Sequence, residues 1–174
     1  MIKLRSIITK EYYIGHRRQI YALSILLVAA LLQSTLFNYF RILNVKPDVI
    51  LAALIMLIPF FSSGWSFALA FISGVFRDIF SLLPFGFNVF LCILWVILAR
   101  QVFRRLSFEN KLIRNCLLCL VVVLNNLILQ SLFFILDKPL SLGIFLRILV
   151  LESIFTLVLA MPIYRLLANI FMPR

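Results

Sequence analysis

From Val49 to Phe76 the chain reads VILAALIMLIPFFSSGWSFALAFISGVF, without a single charged residue. A membrane-spanning helix takes about 20 apolar residues, so this run is too long for one span and short for two. The flanking charges resolve it. The segment from Arg100 to Arg114 carries Arg100, Arg104, Arg105, Lys111 and Arg114 against Glu109. The residues before the first apolar run carry Lys3, Arg5, Lys10, Arg17 and Arg18 against Glu11. Basic connections stay on the cytoplasmic side, which puts both segments inside and the connection Arg41–Asp48 outside. An odd number of helices must then separate that outer connection from the basic segment. One helix cannot occupy residues 47–103, whereas three of about 19 residues each fit a bilayer. They are expected at 47–62, 64–83 and 85–103, with Ser62-Ser63-Gly64 and Pro84 as the breaks.

Composition gives the same class. The 174 residues are 64% apolar and 13% charged, with 18 phenylalanines, and the mean hydropathy is +1.14. A soluble domain carries about 25% charged residues and needs polar surface to cover itself. The chain is therefore read as an integral membrane protein. Its formal net charge of +11 would suggest nucleic acid if the basic residues formed one patch on a soluble domain. They fall between the apolar runs instead, so no nucleic-acid partner is expected.

Residues 1–19, MIKLRSIITKEYYIGHRRQ, form a basic cytoplasmic leader. Leu4, Ile7, Ile8 and Tyr12 recur at helical spacing, so an interfacial amphipathic helix and a disordered tail both remain open. The run Ile20–Phe40 is too long for a signal-peptide core and lacks a small-x-small cleavage site, and so reads as a retained anchor. Residues 20–174 form a single transmembrane domain with helices at about 20–40, 47–62, 64–83, 85–103, 113–136 and 140–169. Twelve lysines and arginines then lie inside and three (Arg41, Lys46 and Lys138) outside, with Arg77 and Arg147 within helices. The expected fold is an all-α bundle of six transmembrane helices with both termini cytoplasmic. No soluble domain is left to carry chemistry.

In so apolar a chain the information sits in the polar exceptions. Pro47-Asp48 opens the second span, where proline suits the first helical position and a carboxylate suits the positive end of the helix dipole. Within GVFRDIF, residues 74–80, Asp78 lies six residues before Pro84, roughly 9 Å below the outer end at 1.5 Å per residue. Arg77 can snorkel, but Asp78 is too short and needs a partner. Arg147 falls at a similar depth on the sixth helix and is the expected cation, with Arg77 second. Ala70, Gly74 and Asp78 form one stripe on which another helix can approach closely. Glu152, Asn125 and Asn126 reach toward the midplane, and Gln33, Asn88 and Gln130 add further amides. One reading of these groups is polar glue that fixes the bundle and presents a rigid face to a partner helix. Under it, Asp78→Asn should be milder than Asp78→Ala, because an amide still hydrogen-bonds. The other reading is a proton or substrate path. The ionisable groups gather in the outer half and stop, and no histidine lies in a span, which weighs against a path.

No HExxH, glycine-rich phosphate loop or Ser-His-Asp set occurs, so no enzymatic activity, cofactor or metal is expected. Cys116-x-x-Cys119 has the spacing of a redox or metal pair. Two small residues on a buried helix face explain it more simply, and no further ligand stands near.

Lys46-Pro47-Asp48-Val49-Ile50-Leu51, then Phe71-Ile72-Ser73-Gly74-Val75-Phe76-Arg77-Asp78-Ile79-Phe80-Ser81, then Phe85-Gly86-Phe87, resembles the rod shape-determining protein MreD family. The family pattern is a Pro-Asp or Pro-Asn helix start, a Gly-x-x-x-Asp helix and a Leu-Gly turn into the next span. Gln33 near the end of the first helix fits it too. Arg77 departs from the pattern, where an apolar residue is expected. The resemblance implies a non-enzymatic scaffold in the bacterial inner membrane, part of the elongation complex that controls cell shape and lateral peptidoglycan synthesis. It implies MreC as partner through packing of its membrane helix, and indirectly MreB, RodA and a class B penicillin-binding protein, with membrane lipids around them. The family is also similar in fold to the substrate-binding subunits of energy-coupling-factor transporters, so capture of a small molecule is the rival function.

Overall fold

The computed structural model describes residues 2–35, 45, 47–81, 84–105, 111–135 and 141–171, with side chains from Arg17 onward except at 111 and 142. Residues 41–44, 46 and 137–139 of the expected outer connections, and residues 106–110 within the basic segment, lie outside the described residues. Six α-helices follow one another in the described chain: α1 (Ile2–Ser34), α2 (Val49–Leu57), α3 (Ser63–Ile79), α4 (Phe87–Arg105), α5 (Lys111–Ile135) and α6 (Leu142–Phe171). Three of them, α4, α5 and α6, are long and apolar enough to cross a membrane. The residues of the basic leader continue into the first apolar run as one helix, α1.

The second span differs from its sequence-based outline of 47–62. Its α-helix stops at Leu57 and passes into a single 3-10 turn, Ile58–Phe60. Pro59 is the cause, since it has no N–H to offer the carbonyl one turn back. The twelve residues from Val49 to Phe60 cover about 18 Å at α-helical rise, well short of a hydrocarbon core of about 30 Å. This short helix does not face lipid. Every residue from Val49 to Leu57 is buried, and α2 touches each of the other five helices. It is the post around which the bundle is assembled, and its uniformly apolar sequence is what such a position requires.

The most extensive helix pair is α3 with α4. On α3 the buried positions are Ser66, Leu69, Ala70, Ser73, Gly74 and Asp78, which is one helical stripe made almost wholly of small residues. On α4 they are Asn88, Leu91, Cys92, Trp95, Val96 and Ala99, a stripe of the same period with larger side chains. Without a hydrophobic force between helices in lipid, close backbone approach over small residues supplies the packing energy. The approach is tightest at Gly74. A β-carbon built there would meet the backbone of Val89, lying 2.8 Å from its nitrogen and closer still to its α-carbon. At the opposite end of α2, Phe171 of α6 stacks on Phe60 and meets Phe61 edge-on, both at 5.4 Å between ring centroids.

A methyl group is expected to be intolerable at Gly74 and harmless at Gly64, where nothing lies within 4 Å of the added atom. The obstacle at Gly74 is backbone that cannot rotate away, so α3 and α4 must separate. Gly74→Ala should lose about 1–3 kcal/mol, the usual range for overpacking. Thermal unfolding of the two variants in detergent, compared with the parent chain, checks this; equal stability of the two would show that the helices are not in contact at Gly74.

Candidate functional site

A helix start buried inside a bundle leaves its first four N–H groups with no intrahelical partner and no water. The start of α2 satisfies three of the four with side chains from three places. The Asp48 carboxylate accepts from Leu51 N at 3.1 Å, making it the N-cap of its own helix. Gln33 at the end of α1 accepts from Ile50 N at 2.9 Å through Oε1. Asp48 N donates to Thr156 Oγ1 of α6 at 3.2 Å. Pro47 is therefore not the first helical residue expected from sequence. It lies one position outside the cap, where it has no N–H to satisfy.

The cap brings a charge into the interior, and α3 supplies its counter-ion. Arg77 Nη2 lies 2.9 Å from Asp48 Oδ2, with the two side chains 9% and 4% exposed. Arg77 Nη1 also reaches Cys92 Sγ on α4 at 3.9 Å.

Asp78 is occupied elsewhere. Its Oδ2 accepts from Gly86 N at 2.9 Å and from Val89 N at 3.4 Å. Its Oδ1 accepts from Asn88 N at 3.0 Å and from Asn88 Nδ2 at 2.9 Å. Asp78 is thus the N-terminal cap of α4, delivered from the end of α3 across the intervening turn. A negative charge there also meets the positive end of the helix dipole. Gly86 makes the geometry possible with φ of +95°, a conformation in which a side chain would be strained. This corrects the sequence-based pairing: Arg147 is exposed on α6, and among the described residues Asp78 makes no ion pair. The cation beside Asp78 in sequence belongs to Asp48.

Below the α2 cap lies a cavity of about 430 Å³. Gln33, Asp48, Arg77, Asn88, Asn126 and Glu152 give it a polar wall, and residues including Phe80, Leu129, Phe133 and Ile148 an apolar one. Asn126 is buried, and its Nδ2 has no hydrogen-bond partner among the described residues. Asn125 turns the other way and accepts from Trp95 Nε1 of α4 at 3.2 Å. Of the residues singled out from sequence, Gln33, Pro47, Asp48, Arg77, Asn88, Asn126 and Glu152 meet at this cavity. Asp78 joins it only through the shared neighbour Asn88. Ala70 and Gly74 serve the α3–α4 contact, and Arg147 stands apart. Thr156 was missed; its one available signal is that it follows Glu152 by four residues on α6, the spacing of a shared helix face. Cys92 lies buried on α4, whereas Cys116 on α5 is exposed. No cluster that could hold a metal occurs among the described residues.

A chain whose described residues form membrane-length apolar helices, with the Asp48–Arg77 pair turned inward and a central post shielded on all sides, is a helical membrane protein. The family model described as rod shape-determining protein MreD matches residues 16–170, and the chain belongs to that family. The family is one of shape-determining structural proteins and is not a known enzyme family. No curated protein and no solved structure matches the chain.

Two predictions follow from this geometry. Asp48→Asn keeps a good capping residue but strands the buried Arg77 charge, and should lose about 3–5 kcal/mol. Adding Arg77→Met should restore most of that loss, because the stranded cation is gone. A double-mutant cycle on thermal stability measures this, and a double variant no better than Asp48→Asn would show the pair to be uncoupled. For Asp78, every strong contact is a donor pointing at the carboxylate. Asparagine would turn an NH₂ toward one of them, leaving backbone N–H groups unsatisfied at about 1–3 kcal/mol each. Asp78→Asn should therefore lower the folded fraction nearly as much as Asp78→Ala, contrary to the milder effect expected from sequence. Size-exclusion profiles of the two variants decide it.

Proposed function

We propose that this protein is a non-enzymatic, multi-pass scaffold of the bacterial inner membrane, with both termini cytoplasmic, that binds the membrane helix of an MreC protein. Through that partner it connects to MreB, RodA and a class B penicillin-binding protein, and so acts in cell shape and lateral peptidoglycan synthesis. The observation that carries the reading, beyond family membership, is where the charges go. Asp48, Arg77 and Asp78 join α2 to α3 and α3 to α4, fixing helix positions. The outward faces are left apolar, with residues such as Val28 and Leu31 on α1 and Val158 on α6 exposed. A rigid bundle with apolar flanks suits packing against another membrane helix.

A second reading draws on the cavity. Its 430 Å³ is within the range of small-molecule sites, and the unpartnered Asn126 amide beside it is the kind of group a ligand satisfies. This supports capture of a small molecule, as in an energy-coupling-factor type transporter. Extraction in mild detergent, affinity capture of the full chain and mass spectrometry separate the two. Recovery of an MreC-like protein is expected; recovery of ATPase subunits or a stoichiometric small molecule would favour the transporter reading. A reporter fused after Arg174 should be active on the cytoplasmic side, and a periplasmic signal would remove the six-span topology.

A further inference from the structure

At the far end of α2 from the ionic cap there is a second cavity, of about 280 Å³, lined by Ile58, Pro59, Phe61, Arg100, Phe103 and Arg104. Its chemistry is the opposite of the first. Two guanidinium groups line it and no carboxylate does, among the described residues. Arginine stays charged under all ordinary conditions, so the pocket carries positive charge. The remaining lining is aliphatic or aromatic.

Arg100 is held in place before any ligand arrives. Its Nη1 donates to Ser66 Oγ at 2.9 Å and to Phe61 O at 3.3 Å, which fixes the guanidinium at the end of the 3-10 turn. Those bonds use one of its three nitrogens, and the other two make no further hydrogen bond to the described residues. The Phe61 wall is itself braced by Phe171. Arg104 follows one turn later on α4 and is exposed. Arg104 lies seventeen residues beyond Phe87, about 26 Å along the helix. Set against a hydrocarbon core of about 30 Å, Arg104 reaches the level of the lipid phosphates when the other end of α4 sits at the opposite boundary. Arg100 lies one turn, about 6 Å, deeper, with that level within reach of its long side chain.

A cationic fork, an adjoining apolar wall and a position at the membrane boundary define an amphiphilic anion as the occupant. We propose that this pocket binds an anionic phospholipid, with Arg100 and Arg104 on the phosphate and Pro59, Phe61 and Phe103 against the apolar part next to it. Guanidinium suits phosphate because its planar array of donors matches two oxygens at once. A bound lipid would brace the short end of α2, which the 3-10 turn leaves with few helical bonds. This site lies at the opposite end of α2 from the polar cavity and does not depend on the scaffold reading.

The test uses the full purified chain and native mass spectrometry after equilibration with equal amounts of phosphatidylglycerol and phosphatidylcholine. Arg104→Gln is the informative change, since Arg104 is exposed and makes no bond to the described residues, whereas replacing Arg100 would also break its contacts with Phe61 and Ser66. Arg105→Gln is the control, removing the same charge from a neighbouring residue that does not line the pocket. The expected result is preferential retention of phosphatidylglycerol, weakened about fivefold by Arg104→Gln, the size of one basic contact at an anionic surface, and unchanged by Arg105→Gln. Equal retention of the two lipids would overturn the proposal. So would an equal loss in both variants, which would indicate diffuse charge, or displacement by excess inorganic phosphate, which would indicate a site for the free anion.

Discussion

The bundle depends on satisfying the first backbone N–H groups of α2. A helix that begins inside a membrane protein cannot leave those donors to water, and each one unsatisfied costs several kcal/mol in an apolar surrounding. Asp48, Gln33 and Thr156 satisfy three of the first four, those of Leu51, Ile50 and Asp48, from three different parts of the chain. That choice has a consequence. A buried carboxylate needs a counter-charge, and Arg77 at the end of α3 provides it. The positions of α1, α3 and α6 relative to α2 are thereby tied to one short stretch of backbone.

The same solution appears again at the next helix start. Asp78 satisfies the beginning of α4 from the end of α3, so the starts of α2 and α4 are each capped by an aspartate. Arg77 and Asp78 are adjacent in sequence, yet successive residues on an α-helix point about 100° apart. One faces α2 and the other faces α4. The departure from the family pattern at Arg77 thus leaves the capping role of Asp78 untouched and adds a separate tie to α2. Gly74, one turn earlier, lets α4 come near enough for the cap to reach.

The two ends of α2 are chemically unlike. Its start gathers carboxylates and amides around a cavity, and its finish, where Pro59 breaks the ladder, is held by a guanidinium on the Phe61 carbonyl. This follows the polarity of a helix. Unsatisfied N–H groups at the start call for acceptors, and unsatisfied carbonyls at the finish call for donors. A short central helix makes both demands inside the protein, whereas a full-length span would make them at the membrane surface.

Much was determined by sequence alone. Hydropathy fixes an all-helical membrane chain, because nothing else fits 64% apolar residues, and the charge-free run from Val49 to Phe76 must break near Ser62. The Pro-Asp start and the Gly-x-x-x-Asp stripe mark the family and the residues that matter, since a charge persists in such surroundings only with a purpose. Partnership was not legible. Depth along a helix placed Asp78 level with Arg147, but depth says nothing about which way a side chain faces, and the rotation of α3 and α6 about their axes is set by packing. Nor could spacing show that the partner of Asp78 is backbone, because the N–H groups of Gly86 and Asn88 exist in every sequence and become available only where a helix begins. The tertiary structure decided which helix is buried on all sides, and from that burial came the ion pair, the caps and the two cavities.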